Sequence, residues 1–115
     1  MTKSDLLELI ESGDPAVEWI RGHWKEEYWH QFHQSSVGEP HYPDITHPAM
    51  LNAVLDMIEE LEYIPSMQPR KNKVYEFVLC DVKKVHDGFV KSNNRSKAAA
   101  EALLWCVRKK LEVQP

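Results

Sequence analysis

Apolar residues recur along this chain with two periods, and the change from one to the other near residue 63 sets the expected architecture. Between His47 and Tyr63, the residues Leu51, Val54, Leu55, Ile58 and Leu61 keep the three-and-four spacing of one helical face, while Asp56, Glu59, Glu60 and Glu62 fall on the other. Thr46 is the expected N-cap of this helix, with Pro48 in its first turn, where a missing amide does least harm. Upstream, Ser4 to Ser12 reads as a short helix capped by Ser4 and closed by Gly13. Asp14-Pro15 then opens a second helix, expected to run from Pro15 to about Gln34 with Val17, Ile20, Trp24 and Tyr28 as its core stripe. Val37 to Pro48 contains Gly38, Pro40, Pro43 and Pro48 and reads as an irregular connector.

Beyond residue 63 the pattern shortens. Pro65 and Pro69 are expected to flank a short edge strand. Lys73 to Val82 is rich in β-branched and aromatic residues, as a strand requires. Asp87-Gly88 is a two-residue hairpin signal, with Phe89-Val90-Lys91 as the returning strand. Asn93, Asn94 or Ser96 caps a last helix to about Leu111, whose buried side is Ala99, Leu103, Cys106, Val107 and Leu111. The expectation is an α+β fold in one domain over 1–115: an N-terminal helical extension (1–36), then an α-β-β-β-α module (42–113) with a three-stranded antiparallel sheet packed by helices.

Composition adds boundaries. A chain of 115 residues with 43% hydrophobic and 28% charged residues is large enough to bury its own core. Cys80 and Cys106 stand in apolar runs and are expected as reduced core thiols. The start Met1-Thr2-Lys3-Ser4-Asp5 does not look like a signal peptide, and no stretch has the length of a membrane span, so a cytoplasmic protein is expected. Residues 1–62 hold thirteen acids against Lys3, Arg21 and Lys25, a formal −10, whereas residues 63–115 hold eleven Lys or Arg against five acids, a formal +6. Such halves either attract each other within the domain or mark an anion-facing or self-complementary surface.

Candidate chemistry is sparse. His23, Glu26, Glu27, His30 and His33 are the densest set of possible metal ligands, but a carboxylate-bridged site needs several helices and a zinc site four donors, so no metal or other cofactor is expected. With no phosphate loop, nucleophile elbow or dinucleotide fingerprint, no catalytic residue is assigned and a non-enzymatic protein is expected.

Two features remain. On the second helix Trp19 and Trp29 fall about 140° to either side of Trp24 and cannot share its stripe. With Glu26, His30, His33 and, on the last helix, Trp105, they form the candidate protein interface, for a partner or for self-association. Otherwise they are indoles covered by other parts of the chain. The other feature is the start of the last helix, where Lys91, Asn94, Arg95, Ser96 and Lys97 stand near free amides and the positive end of the helix dipole. They make a candidate site for an anion, nucleotide or nucleic acid.

The order α-β-β-β-α with Ser96-Lys97-Ala98-Ala99-Ala100-Glu101-Ala102-Leu103 resembles a double-stranded-RNA-binding domain, although Arg95 and Ala98 replace the usual glycine and lysine. A closer resemblance is to the phage ABA sandwich domain family. It is carried by Tyr42-Pro43-Asp44-Ile45 before a helix, the helix Leu51 to Leu61, and the alanine-rich Ala98 to Leu111 around Cys106. That resemblance implies a small phage or prophage protein in the bacterial cytoplasm, acting by binding host or defence components.

Overall fold

A computed structural model of the chain describes residues 2–25, 36–38, 42–70, 74–81, 88–92 and 94–113, with side-chain surroundings for 2–25, 37–38, 42–64 and 94–112. Helix α1 spans Lys3–Ser12. Its cap is Thr2, not Ser4: the Thr2 hydroxyl accepts from the Asp5 amide at 3.2 Å and the Asp5 carboxylate accepts from the Thr2 amide at 2.9 Å. Gly13, at φ 71°, closes the helix in the left-handed conformation that glycine adopts without strain. Helix α2, Pro15–His23, starts where expected, with the Asp14 carboxylate accepting from the Ala16 amide at 2.8 Å.

Helix α2 ends much earlier than its apolar spacing suggested. Trp24 is already extended (φ −68°, ψ 124°), and Gly22 just before it is a weak helix former. Trp24 is nevertheless buried, as are Val17 and Ile20; Tyr28 lies outside the described residues.

Residues 36–38 and 42–48 are more regular than expected. Strands β1 (Ser36–Val37) and β2 (Tyr42–Pro43) pair antiparallel, Val37 opposite Tyr42. Asp44 through Thr46 are buried, and the Asp44 carboxylate accepts from the Thr46 amide (3.1 Å) and hydroxyl (2.5 Å). Thr46 is thereby engaged and does not cap the next helix. His47 does so: its Nδ1 accepts from the Ala49 amide at 3.1 Å, starting a 3₁₀ turn, Pro48–Met50, that leads into α3, Leu51–Glu60.

Helix α3 buries Ala53, Val54, Met57 and Ile58, a stripe turned slightly from the expected one, so that Leu51, Leu55 and Leu61 are half-buried. Its end is closed by Glu62 at φ 69°, a left-handed position without glycine.

The backbone beyond forms a meander: β3 (Tyr63–Arg70), β4 (Val74–Asp81) and β5 (Gly88–Ser92), antiparallel in that order, with Tyr63 opposite Asp81 and Phe77 opposite Val90. Pro65 and Pro69 do not flank β3 but lie within it. Being four apart, they lack donors on the same edge, which suits a strand paired along the other.

Helix α4, Arg95–Val113, is capped by Asn94, whose side chain accepts from the Lys97 amide at 3.1 Å. Ala98, Ala99, Ala100, Ala102, Leu103, Leu104, Cys106 and Val107 are each exposed by 1% or less. Consecutive residues point about 100° apart, so the buried arc is much wider than one stripe, and only the face of Lys97, Glu101 and Trp105 remains half-buried. Helices α2 and α3, strands β4 and β5 and the 3₁₀ turn all flank it.

These observations correct the expected fold class, in which a three-stranded antiparallel sheet was the layer that helices cover. Of the residues with described side chains 74% are helical, and the sheet does not organise that part of the molecule. The apolar side chains buried there come from the helices, the 3₁₀ turn and residues 37–45; at the start of β3, Tyr63 is half-buried and Ile64 is 56% exposed. Helices α1 and α2 share this core through Leu6, Ala16, Val17 and Ile20. The alanine run adds Ala98, Ala100 and Ala102 to the buried surface of α4, beyond the single stripe that its larger apolar residues mark.

Two stability measurements test this packing by urea unfolding. Ala100→Leu overpacks the fully enclosed position and is expected to cost about 1–3 kcal/mol. Glu62→Gly removes a left-handed β-carbon at an exposed site and is expected to raise stability by up to about 1 kcal/mol.

Candidate functional site

Helix α2 carries three kinds of side chain, each with its own surroundings. Val17 and Ile20 face the core. Glu18 and Arg21 face the β1–β2 ribbon, where the Tyr42 hydroxyl donates to the Glu18 carboxylate and the Arg21 guanidinium lies 5.1 Å from the Tyr42 ring centroid. Trp19 and His23 form the remaining surface.

The Trp19 and His23 rings stack, with centroids 3.9 Å apart and planes inclined by 15°. His23 Nδ1 lies 2.9 Å from the Trp19 carbonyl oxygen. A carbonyl only accepts, so Nδ1 is the donor and, in the neutral ring, Nε2 keeps its lone pair as an acceptor. Trp19 is half-buried against the core and His23 is exposed. A bulky amphipathic surface is thus held in one orientation at the end of a short helix.

This changes the expected interface. Trp19 is not left wholly outside: the chain's own core covers part of it and His23 covers one ring face. Trp105 is also half-buried, edge-on to Tyr63 (5.7 Å, 77°) with the Lys109 ammonium 5.5 Å from its ring centroid. The two indoles belong to separate aromatic pairs, Trp19–His23 and Tyr63–Trp105. Glu26, Trp29, His30 and His33 lie outside the described residues, so the rest of the expected interface has no geometry here. The Trp-x-x-x-His spacing was visible in the sequence as an i, i+4 pair; Tyr42 and Tyr63 gave no local signal, because their partners are distant in the chain.

The start of α4 is less open to an anion than expected. Asn94 occupies the Lys97 amide and Ser96 is buried, while Arg95 is exposed and Lys97 half-buried. Lys97 also stands near Asp5. The Asp5 carboxyl is held below its ordinary value first by the Thr2 amide, then by the Thr2 hydroxyl, with a smaller contribution from the Lys97 charge. The side chain of Lys91 lies outside the described residues.

The opposite charges of the two halves meet here within the chain, as they do where Arg108 pairs with Asp14 at 3.3 Å. Among the described residues no three of His, Cys, Asp and Glu are grouped to hold a metal ion, and no helix is long and apolar enough to cross a membrane. Cys106 is a buried free thiol. No family model, no curated protein and no solved structure matches the chain.

The Tyr42–Glu18 bond gives a pH test. Donation to Glu18 is the main cause that raises the Tyr42 hydroxyl above its ordinary 10.0, followed by burial and the Glu18 charge, with Arg21 opposing. A raised value means that the bond contributes fully below pH 10.0 and is lost as pH rises through the folded value. Wild type should therefore melt higher than Tyr42→Phe at neutral pH, and the gap should close above pH 10.0. Asp5, shifted downward, has the opposite sign: the advantage over Asp5→Asn should persist above pH 3.8 and vanish as pH falls below it.

Proposed function

We propose that this chain is a non-enzymatic binding protein that acts through protein contacts, with the Trp19–His23 pair as its anchor. The observation that carries this reading is the stack itself. An indole and an imidazole fixed in one orientation lose little side-chain entropy on binding, and tryptophan is enriched where a few residues supply most of an interface's energy. The likeness of Tyr42-Pro43-Asp44-Ile45 and of the alanine-rich α4 to phage ABA sandwich proteins supports a phage or prophage origin and a host or defence protein in the bacterial cytoplasm as the partner.

The test is affinity capture from bacterial lysate with wild-type, Trp19→Ala and His23→Ala baits, followed by a measured Kd for the enriched protein. Loss of Trp19 is expected to weaken binding at least tenfold, about 1.4 kcal/mol or more, while the half-buried site lowers the chain's own stability by about 1–3 kcal/mol. Equal affinity of wild type and both variants would remove the pair from any interface. Salt-dependent binding of nucleotides or RNA that is lost in Arg95→Ala would instead favour a nucleic-acid module at the start of α4.

A further inference from the structure

The histidines with described side chains, His23 and His47, hold the proton of the neutral ring on opposite nitrogens. His23 Nδ1 lies 2.9 Å from the Trp19 carbonyl oxygen and must carry a proton to bond it. His47 Nδ1 accepts from the Ala49 amide at 3.1 Å and must present a lone pair, which leaves the proton of its neutral ring on Nε2. Acid therefore acts differently on the two. A second proton enters His23 at Nε2, and the bond to Trp19 survives. On His47 the vacant nitrogen is Nδ1 itself, so the second proton takes the lone pair that the amide uses, and two N–H groups then point at each other. Imidazole is the side chain whose charge changes between about pH 5 and 8, so this loss falls close to neutrality.

The position of His47 gives that loss a structural consequence. Pro48 has no N–H, so the Ala49 amide is the first donor of the 3₁₀ turn that needs a partner, and the imidazole supplies it. Helix α3 follows without a side-chain cap of its own, which leaves the His47 bond as the cap of the whole entry. The turn also carries Met50, a fully buried side chain, whose amide donates to the His47 carbonyl at 2.9 Å. Upstream, the His47 amide donates to the Asp44 carbonyl at 3.1 Å, next to the buried Asp44–Thr46 bond. Among the described residues no carboxylate pairs with the ring to compensate a charge on it. Asp44 is occupied by Thr46, the turn itself has no ionisable side chain, and α3 has no acid in its first turn, Asp56 being its first. On α4, which also packs on the turn, Arg95, Lys97 and Glu101 are the charged side chains of the first two turns, and none of them bonds to His47. We propose that His47 is an acid-sensitive latch on the entry to α3: protonation at Nδ1 releases the Ala49 amide and loosens the turn that holds Met50 in the core. The bond contributes while the ring is neutral and is lost as pH falls.

Two measurements on the full chain test this. Nitrogen-15 NMR of the imidazoles at about pH 8, where the rings are neutral, is expected to show Nδ1 unprotonated in His47 and protonated in His23. The melting temperature is then compared between wild type and His47→Ser, whose hydroxyl caps the turn without titrating near neutrality. On going from about pH 8 to about pH 5 the variant should gain about 4 °C on wild type, the worth of one helix cap in a chain of this size. His47→Asn, another cap that does not titrate there, serves if the serine variant does not fold. A His47 ring that carries its proton on Nδ1 near pH 8 overturns the proposal. So does a melting difference between wild type and either variant that stays constant over that range.

Discussion

The fold rests on a single demand: α4 must be enclosed over most of its circumference, with only the face of Lys97, Glu101 and Trp105 left half-buried. A helix buried over so wide an arc needs a surface of small and apolar residues; Ala98, Ala99, Ala100 and Ala102 supply the small ones, and α2, α3, β4 and β5 all flank the helix. Leu103, Leu104, Cys106 and Val107 fill the space one turn on. At the helix's far end Arg108, Lys109 and Lys110 suit the negative pole of the dipole and reach solvent. The bond from Arg108 to Asp14 joins that end to the start of α2. With its side chains 50% and 20% exposed it contributes about 1 kcal/mol or less, so apolar packing holds α2 in place.

The positions of both aromatic pairs depend on that packing. Helix α2 is pinned by Val17 and Ile20 on its inner side and by the Tyr42–Glu18 bond on its flank, which leaves Trp19 and His23 as the side that meets solvent. The same logic places Tyr63. Helix α3 packs on α4, turns through the left-handed Glu62 and delivers Tyr63 to the edge of Trp105. In each case the indole is half-buried against the core and meets one other aromatic ring.

What the sequence disclosed follows the range of the interactions involved. Local signals were readable: Gly13 as a left-handed stop, Asp14-Pro15 as a helix start, α3 by its spacing, and β4 followed by an antiparallel return strand. Competition between neighbouring residues was not. Thr2 and His47 took the caps expected of Ser4 and Thr46, because Thr46 is bound to the buried Asp44. The length of α2 was overestimated because an apolar stripe continues in sequence whether or not the backbone remains helical, and Trp24 is buried from an extended conformation. The largest error concerned α4, whose buried side was expected to be one stripe, with Ala99 as its only alanine, and for which the sheet was expected to be the organising layer. Of the candidate site, Trp19 and Trp105 were identified and their partners were not: His23, one helical turn from Trp19, was weighed only as a metal ligand, and Tyr63 meets Trp105 only in the folded chain.

Native-state hydrogen exchange tests the central claim most directly. If α4 is the enclosed centre of the core, the amides of Ala99 through Val107 exchange only when the whole chain unfolds, with an opening free energy equal to that from urea denaturation. Those of α1, which contributes Leu6 alone as a fully buried side chain, should open at a lower free energy. Exchange of the α4 amides through local opening, at a free energy at or below that of α1, contradicts the account.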